Sequence, residues 1–229
     1  VLGNAHLTVN PVLFKDWTVD ALAEFTPVNL VYRAGYIIAV ANDAPYKTMR
    51  DLLDAAKAAP ERVSYSSAYV GSPQHFGGAQ LASSVGAQML AVHFKETGQM
   101  MSAVANGDTQ FVIATIGSTG ALVKAGKLRI LATISPKRLS THPDVPTVAE
   151  SGGPANFQVD TWMSLVVPRA TPAIRRRLAR RELRLVRATL RPELLPQHVR
   201  GARTTDGDLR LDLRRQRTNR GFAASSPAL

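Results

Sequence analysis

Ser72 and His75 stand three residues apart at the start of an expected helix, just behind Ser67 and Gly71. Helical residues at that spacing can touch, so a nucleophile and its base are one chemistry open to the pair. That chemistry needs further parts. No Gly-x-Ser-x-Gly turn is present, and no acid is placed to orient His75. The same residues suit anion binding better. Gly71 permits a tight turn, Ser72 is a good helix N-cap, and Pro73 suits the first helical position. A strand that enters a helix through such a loop leaves backbone N–H groups unpaired beside the positive end of the helix dipole. Those donors make a site for a carboxylate or phosphate. The plain alternative is a capped strand–loop–helix junction that binds nothing.

Other chemistry-bearing residues are scattered. His6, His93, His142 and His198 show no paired metal-ligand spacing, and cysteine is absent, so no metal site or cofactor is expected. Lys95 suits a ligand acid or a solvated loop equally well. Trp162 and Tyr69 would line a cleft or fill a core. The chain therefore reads as a binding protein and not an enzyme.

The elements that must position these residues follow from periodicity. Arg62 to Ser67 alternates as a strand, and from Phe76 an apolar face recurs at helical spacing. Thr48 with Asp51 resembles a capping box, ahead of Met49, Leu52, Leu53 and Ala56 on one helical face. Val28–Val31 and Tyr36–Ala41 read as two buried strands, with a turn at Asn10-Pro11 before them. Met89–Phe94, Phe111–Ile116, Leu128–Thr133 and Val159–Val167 complete the strands, with helices at Val19–Phe25, Gly98–Ala105, after Gly117 and after Thr171-Pro172. The alternation of strand, small-residue turn and helix predicts an α/β fold with a largely parallel sheet. Ligands in such sheets sit beyond the C-terminal ends of the strands.

Charge divides the chain sharply. Residues 1–168 hold 12 basic and 12 acidic residues, whereas residues 169–229 hold 16 Arg, no Lys and 5 acidic residues. The formal charge of +11 thus belongs wholly to an arginine-only tail. A nucleic-acid-binding arm is the alternative function this raises. A neutral body and a tail with few aromatics to stack bases argue against it. The apolar pattern decays after about Ala173, as in a GC-rich reading frame that has shifted, and residues 197–229 read as disordered. The chain opens Val1-Leu2-Gly3-Asn4 with no initiator Met or signal peptide, and reads as a fragment or processed chain.

Residues 1 to about 172 resemble the substrate-binding proteins of tripartite tricarboxylate transporters, the Bug family of extracytoplasmic solute receptors. The resemblance rests on Leu2-Gly3-Asn4-Ala5 with Asn10-Pro11, Phe25-Thr26-Pro27-Val28, Tyr65-Ser66-Ser67, Val70-Gly71-Ser72 with His75, and Gly126-Lys127-Leu128-Arg129. Its clearest stretch is His142-Pro143-Asp144-Val145-Pro146-Thr147-Val148-Ala149-Glu150-Ser151-Gly152. The resemblance implies a two-lobed periplasmic binding protein of type II-like α/β fold. Residues 1–42 and 159–229 would form an incomplete first lobe and 43–158 the second, with crossings near Ala41-Asn42 and Asp160-Thr161. It implies a periplasmic, monomeric receptor for a small carboxylate, either an organic acid or an amino acid, that delivers to membrane transporter subunits. Asn4, Ala5, Ser67, Gly71, Ser72 and Thr115 would contact the ligand. The family's first strand and its proline-glycine-glycine loop would precede Val1, its C-terminal helices are not recognisable beyond about residue 195, and the chain departs from the family at two internal stretches. His93-Phe94-Lys95-Glu96 stands where Pro-Tyr-Lys-Gly is usual, and Ala114-Thr115 where many members carry an acid.

Overall fold

The computed structural model describes residues 2–4, 6–60 and 62–189. The chain divides into two compact units, residues 1–34 with 161–229 and residues 35–160. Where the sequence pattern shows two apolar runs, the structure has one strand. β2 runs from Phe25 to Ala41, and the first crossing lies inside it, not at the expected Ala41-Asn42. The polar interval Tyr32–Arg33 stays extended because ladder partners, which hydropathy cannot reveal, hold both halves of the strand.

In the first unit β1 (Leu2–Asn4) pairs antiparallel with β7 (Asp160–Pro168), and β7 lies between β1 and β2. Helices α1 (His6–Leu13), α2 (Ala21–Glu24) and α7 (Ala173–Thr189) belong to it. α1 overturns the turn expected at Asn10-Pro11. Pro11 sits inside the helix, and the Asn10 carbonyl accepts the Phe14 N–H at 3.0 Å. In α7 the apolar residues Ile174 and Leu178 are 61% and 51% exposed, while Arg176, Ala179 and Arg180 are half-buried. The Arg180 guanidinium donates to the Val28 carbonyl at 3.0 Å, a charge-assisted bond that outweighs orienting two isolated aliphatic side chains. The disorder expected for 197–229 lies outside the described residues.

The second unit is a five-stranded sheet in the order β4-β3-β5-β2-β6. β3 (Ser64–Ser67) pairs parallel with β4 (Leu90–His93) and β5 (Phe111–Ala114). The far half of β2 is antiparallel to both β5 and β6 (Leu128–Ile134), so the sheet is mixed where a largely parallel one was expected. Both faces are covered. Ile38, Val40, Phe111 and Ile113 pack on one face with α3 (Met49–Ala58) and α4 (Pro73–Ser84). Ile37, Ala39, Val112 and Ala114 pack on the other with α5 (Thr97–Ala105), and α6 (Ile116–Lys124) adds half-buried side chains. Two buried faces are why these strands read as continuous apolar runs.

The capping box of α3 is formed as expected. Thr48 Oγ1 accepts the Asp51 N–H at 3.2 Å and the Asp51 carboxylate accepts the Thr48 N–H at 2.9 Å. α4 lies unusually close to the sheet because Gly77 and Gly78 face it. A Cβ on Gly77 would meet Ile113 Cδ1 at 2.7 Å, and one on Gly78 would overlap the Tyr65 ring. That ring is itself held, stacked on Phe111 at 5.4 Å with its hydroxyl donating to the His75 carbonyl at 3.1 Å. The start of α4 is thereby fixed over the end of β3.

Candidate functional site

Because β3, β4 and β5 are parallel neighbours, their C-terminal ends share one edge of the sheet. Each end feeds a helix, at 67–73, 93–97 and 114–116. This places the Ser67–Ser72 loop, His93 and Thr115 at the same edge, where α/β sheets bind ligands. Four of the six expected donors, Ser67, Gly71, Ser72 and Thr115, therefore lie on one unit. Asn4 lies in β1 of the other unit, opposite Met163 in the ladder. Ala5 lies outside the described residues.

Ser67 and Ser72 are fully buried, with their Oγ atoms 3.2 Å apart. Ser72 caps α4 by accepting the His75 N–H at 3.2 Å, which leaves the Ser72 proton to give. Gly71 has φ 86°, a conformation that costs glycine little, and its N–H donates to His75 Nδ1 at 3.1 Å. The Ser72 N–H goes to the Tyr69 carbonyl at 3.0 Å. These two bonds correct part of the sequence reading, since the loop spends two of its expected anion donors on itself. Among the described residues the Gln74 N–H, one position into α4, remains open. Thr115 caps α6 by accepting the Ser118 N–H at 3.3 Å. The Ser118 hydroxyl donates to the Thr115 carbonyl at 2.8 Å, so the Thr115 proton is the one shared with Ser118 Oγ at 3.1 Å.

The bond from Gly71 settles the chemistry of His75. A ring nitrogen that accepts an N–H carries no proton, so neutral His75 holds its hydrogen on Nε2. Ser72 Oγ is bonded to the His75 backbone and not to its ring, so the spacing does not produce a nucleophile–base pair. Burial, and then the neighbouring His93, push the His75 pKa down.

Sequence reasoning missed the part played by His93. It stands opposite Ser67 in the β3–β4 ladder, with Nδ1 3.0 Å from Ser67 Oγ and its ring edge-on to His75 at 5.1 Å between centroids. The signal was the parallel pairing itself, which no local pattern discloses. Lys95 and Tyr69 are exposed, and Trp162 is buried in the first unit. There, a cavity of about 260 Å³ is lined by Phe25, Thr26, Trp162, Ser164 and Arg169 among others. Trp162 Nε1 is buried with no hydrogen-bond partner among the described residues. The cavity is lined only by first-unit residues, so it holds none of the donors expected on the second unit. Among the described residues no cluster of three or more His, Cys, Asp or Glu is placed to hold a metal, and no helix is long and apolar enough to cross a membrane.

Comparison with known proteins bears on the family and the fold. The tripartite tricarboxylate transporter family receptor profile matches residues 1–191. The match runs through α7, beyond the 172 residues over which motifs carry the resemblance, so family character does not end at Ala173. A UPF0065 protein from the tcbD–tcbE intergenic region of a Pseudomonas species is 28% identical over 172 residues, 75% of this chain and 51% of that protein. BugT of Bordetella pertussis is 24% identical over 169 residues, 74% of this chain and 52% of BugT. The chain thus spans about half the length of these relatives. Among solved structures, a Rhodopseudomonas palustris protein with adipate superposes at TM-score 0.83 and 20% identity, covering 98% of this chain and 76% of that one. MatC of the same organism, with bound malate, gives 0.81 and 20%, covering 96% and 76%. These likenesses establish the fold of periplasmic binding proteins.

Proposed function

We propose, from the premise that this chain belongs to the tripartite tricarboxylate transporter receptor family, that it binds a small mono- or dicarboxylate and presents it to membrane transporter subunits in the periplasm. The family and fold are those of solute receptors, so the site's work is recognition without bond making. One observation carries the carboxylate reading. The α4 and α6 N-termini, capped by Ser72 and Thr115, lie at the same edge of the sheet, each with a hydroxyl proton that can turn from a neighbouring serine to a ligand. Two helix dipoles and two hydroxyls favour an anion, and each hydrogen bond to a charged group contributes roughly 1.5–3 kcal/mol. Ser67 and the Gly71 loop hold Ser72 in place. The structures with adipate and malate support the choice of acids as ligands.

Calorimetry against a panel of organic acids and amino acids tests this. Binding of at least one acid is expected, weakened about tenfold or more by Ser72→Ala and by Thr115→Ala, one charged hydrogen bond each. Undiminished affinity in both variants would move the site elsewhere. The nucleic-acid reading predicts instead an association that collapses as salt rises.

A further inference from the structure

His93 stands at the candidate site, and its Nε2 makes no hydrogen bond among the described residues. Its other nitrogen is committed. Nδ1 lies 3.0 Å from Ser67 Oγ, and Ser67 Oγ lies 3.2 Å from Ser72 Oγ at the cap of α4. The ring is therefore held at Nδ1 against the buried hydroxyl pair, while the residue itself is exposed. A ring fixed at one nitrogen presents the other in a defined direction.

We propose that His93 is a further ligand-binding residue, its Nε2–H donating to the carboxylate held at the α4 and α6 N-termini. This rests on the carboxylate reading above. Neutral His93 can make the contact only when Ser67 gives its proton to Nδ1, which leaves the hydrogen on Nε2. Protonated His93 makes it without that constraint. Nδ1–H donates to Ser67 Oγ, the Ser67 proton turns to the Tyr69 carbonyl at 3.4 Å or to Ser72, and Nε2–H meets the carboxylate as a charged donor. The proton comes from solvent, and no bond other than hydrogen bonds is made or broken. The site then takes up a proton as it takes up an acid.

The groups that face His93 permit this. From α4 the edge-on ring is His75, kept neutral by burial, by the charge His93 would carry, and by the Gly71 N–H on Nδ1. From β3 the neighbour is Ser67, and the Tyr65 phenol, pushed up to about 12 by burial, stays protonated. On its own loop Lys95 and Glu96 follow, both exposed.

Calorimetry of the 229-residue chain at pH 8 and pH 6 tests the assignment, using whichever of malate, adipate and acetate binds tightest at pH 8. These acids stay largely ionised at both values. Wild-type affinity should rise roughly tenfold from pH 8 to pH 6, the size of one charge-assisted hydrogen bond. His93→Gln cannot take up the proton, so in that variant the rise should disappear. A second readout needs no variant. In nitrogen NMR of the wild type, the acid should shift Nε2 of His93 and leave Nε2 of His75 in place. An undiminished rise in His93→Gln, or an unmoved Nε2, overturns the inference alone. If none of the three acids binds, the carboxylate reading falls and the inference with it.

Discussion

Ser72 shows how one hydroxyl serves structure and recognition together. It caps α4 through the His75 N–H and still has a proton for Ser67 or for a ligand. Ser72→Ala should therefore cost about 1 kcal/mol of stability as a lost cap, besides its effect on affinity. Urea denaturation without ligand separates the two effects, and an unchanged midpoint would show the cap to be idle. His75 supplies a second prediction, through linkage. Its folded pKa is depressed by burial and by His93, so the unfolded chain binds the proton more readily. Stability should be complete above the ordinary imidazole value near 6.5 and fall as pH drops below it. The Gly71 bond to Nδ1 works in the same direction, because protonation there breaks it and so extends the fall to lower pH. Thermal melts between pH 7.5 and pH 5 should show it, and His75→Gln should flatten the curve. Asp51 and Glu150 cannot mimic this. Their carboxyls are held below the usual range, first by backbone N–H groups of Thr48 and Thr147, so their contributions fade only below about pH 4.

α4 is the element on which the site depends, and its placement turns on two glycines. Gly78→Ala would drive a methyl group into the Tyr65 ring, which is buried and stacked on Phe111 and has no room to yield. A loss of about 1–3 kcal/mol is expected. Gly120 in α6 is the control, because a Cβ there meets nothing within 4 Å. Gly120→Ala should be neutral or stabilising by up to about 1 kcal/mol, the usual gain of alanine in a helix. Chemical denaturation of both variants decides, and equal effects would mean that α4 is not set by close packing. The segments that identify the family in the sequence prove to be fastenings. In the stretch after His142, Thr147 and Glu150 cap one another at 2.7 and 3.1 Å, and Arg138 grips the Glu150 carboxylate at 2.9 Å. Arg129 Nη2 donates to the Ala44 and Tyr46 carbonyls at 3.3 and 3.0 Å, tying down the turn after β2.

The whole molecule divides unevenly between its two units. Residues 35–160 are continuous in sequence and contain both large apolar clusters, one on each face of the sheet. A chain of residues 35–160 should accordingly fold alone, with a cooperative urea transition by circular dichroism. A gradual, sloping loss of signal would show that it needs the rest of the chain. Trp17 and Trp162, the two tryptophans, both lie in the other unit, so tryptophan fluorescence of the full chain reports that unit alone. If the units unfold separately, its midpoint should differ from that of the circular dichroism.

The sequence by itself determined the element list of the second unit, because two buried sheet faces write unbroken apolar runs and each helix start carries its own cap. Thr48 with Asp51, Ser72 with Pro73, and the turn at Gly71 with φ 86° were all legible as local chemistry. So was the family, since its fastenings are contiguous strings of residues. Tertiary structure decided what depends on pairing at a distance. It made β2 one strand held by ladder partners along both halves, set that strand antiparallel beside β5, and turned α7 onto Arg180. It also gave the Gly71 N–H to His75, which withdrew a donor the loop sequence had offered. Above all it brought His93 to Ser67 across 26 residues of sequence. A strand's hydropathy records which of its faces is buried, but not which strand lies beside it, and at this site the neighbouring strand supplies the imidazole.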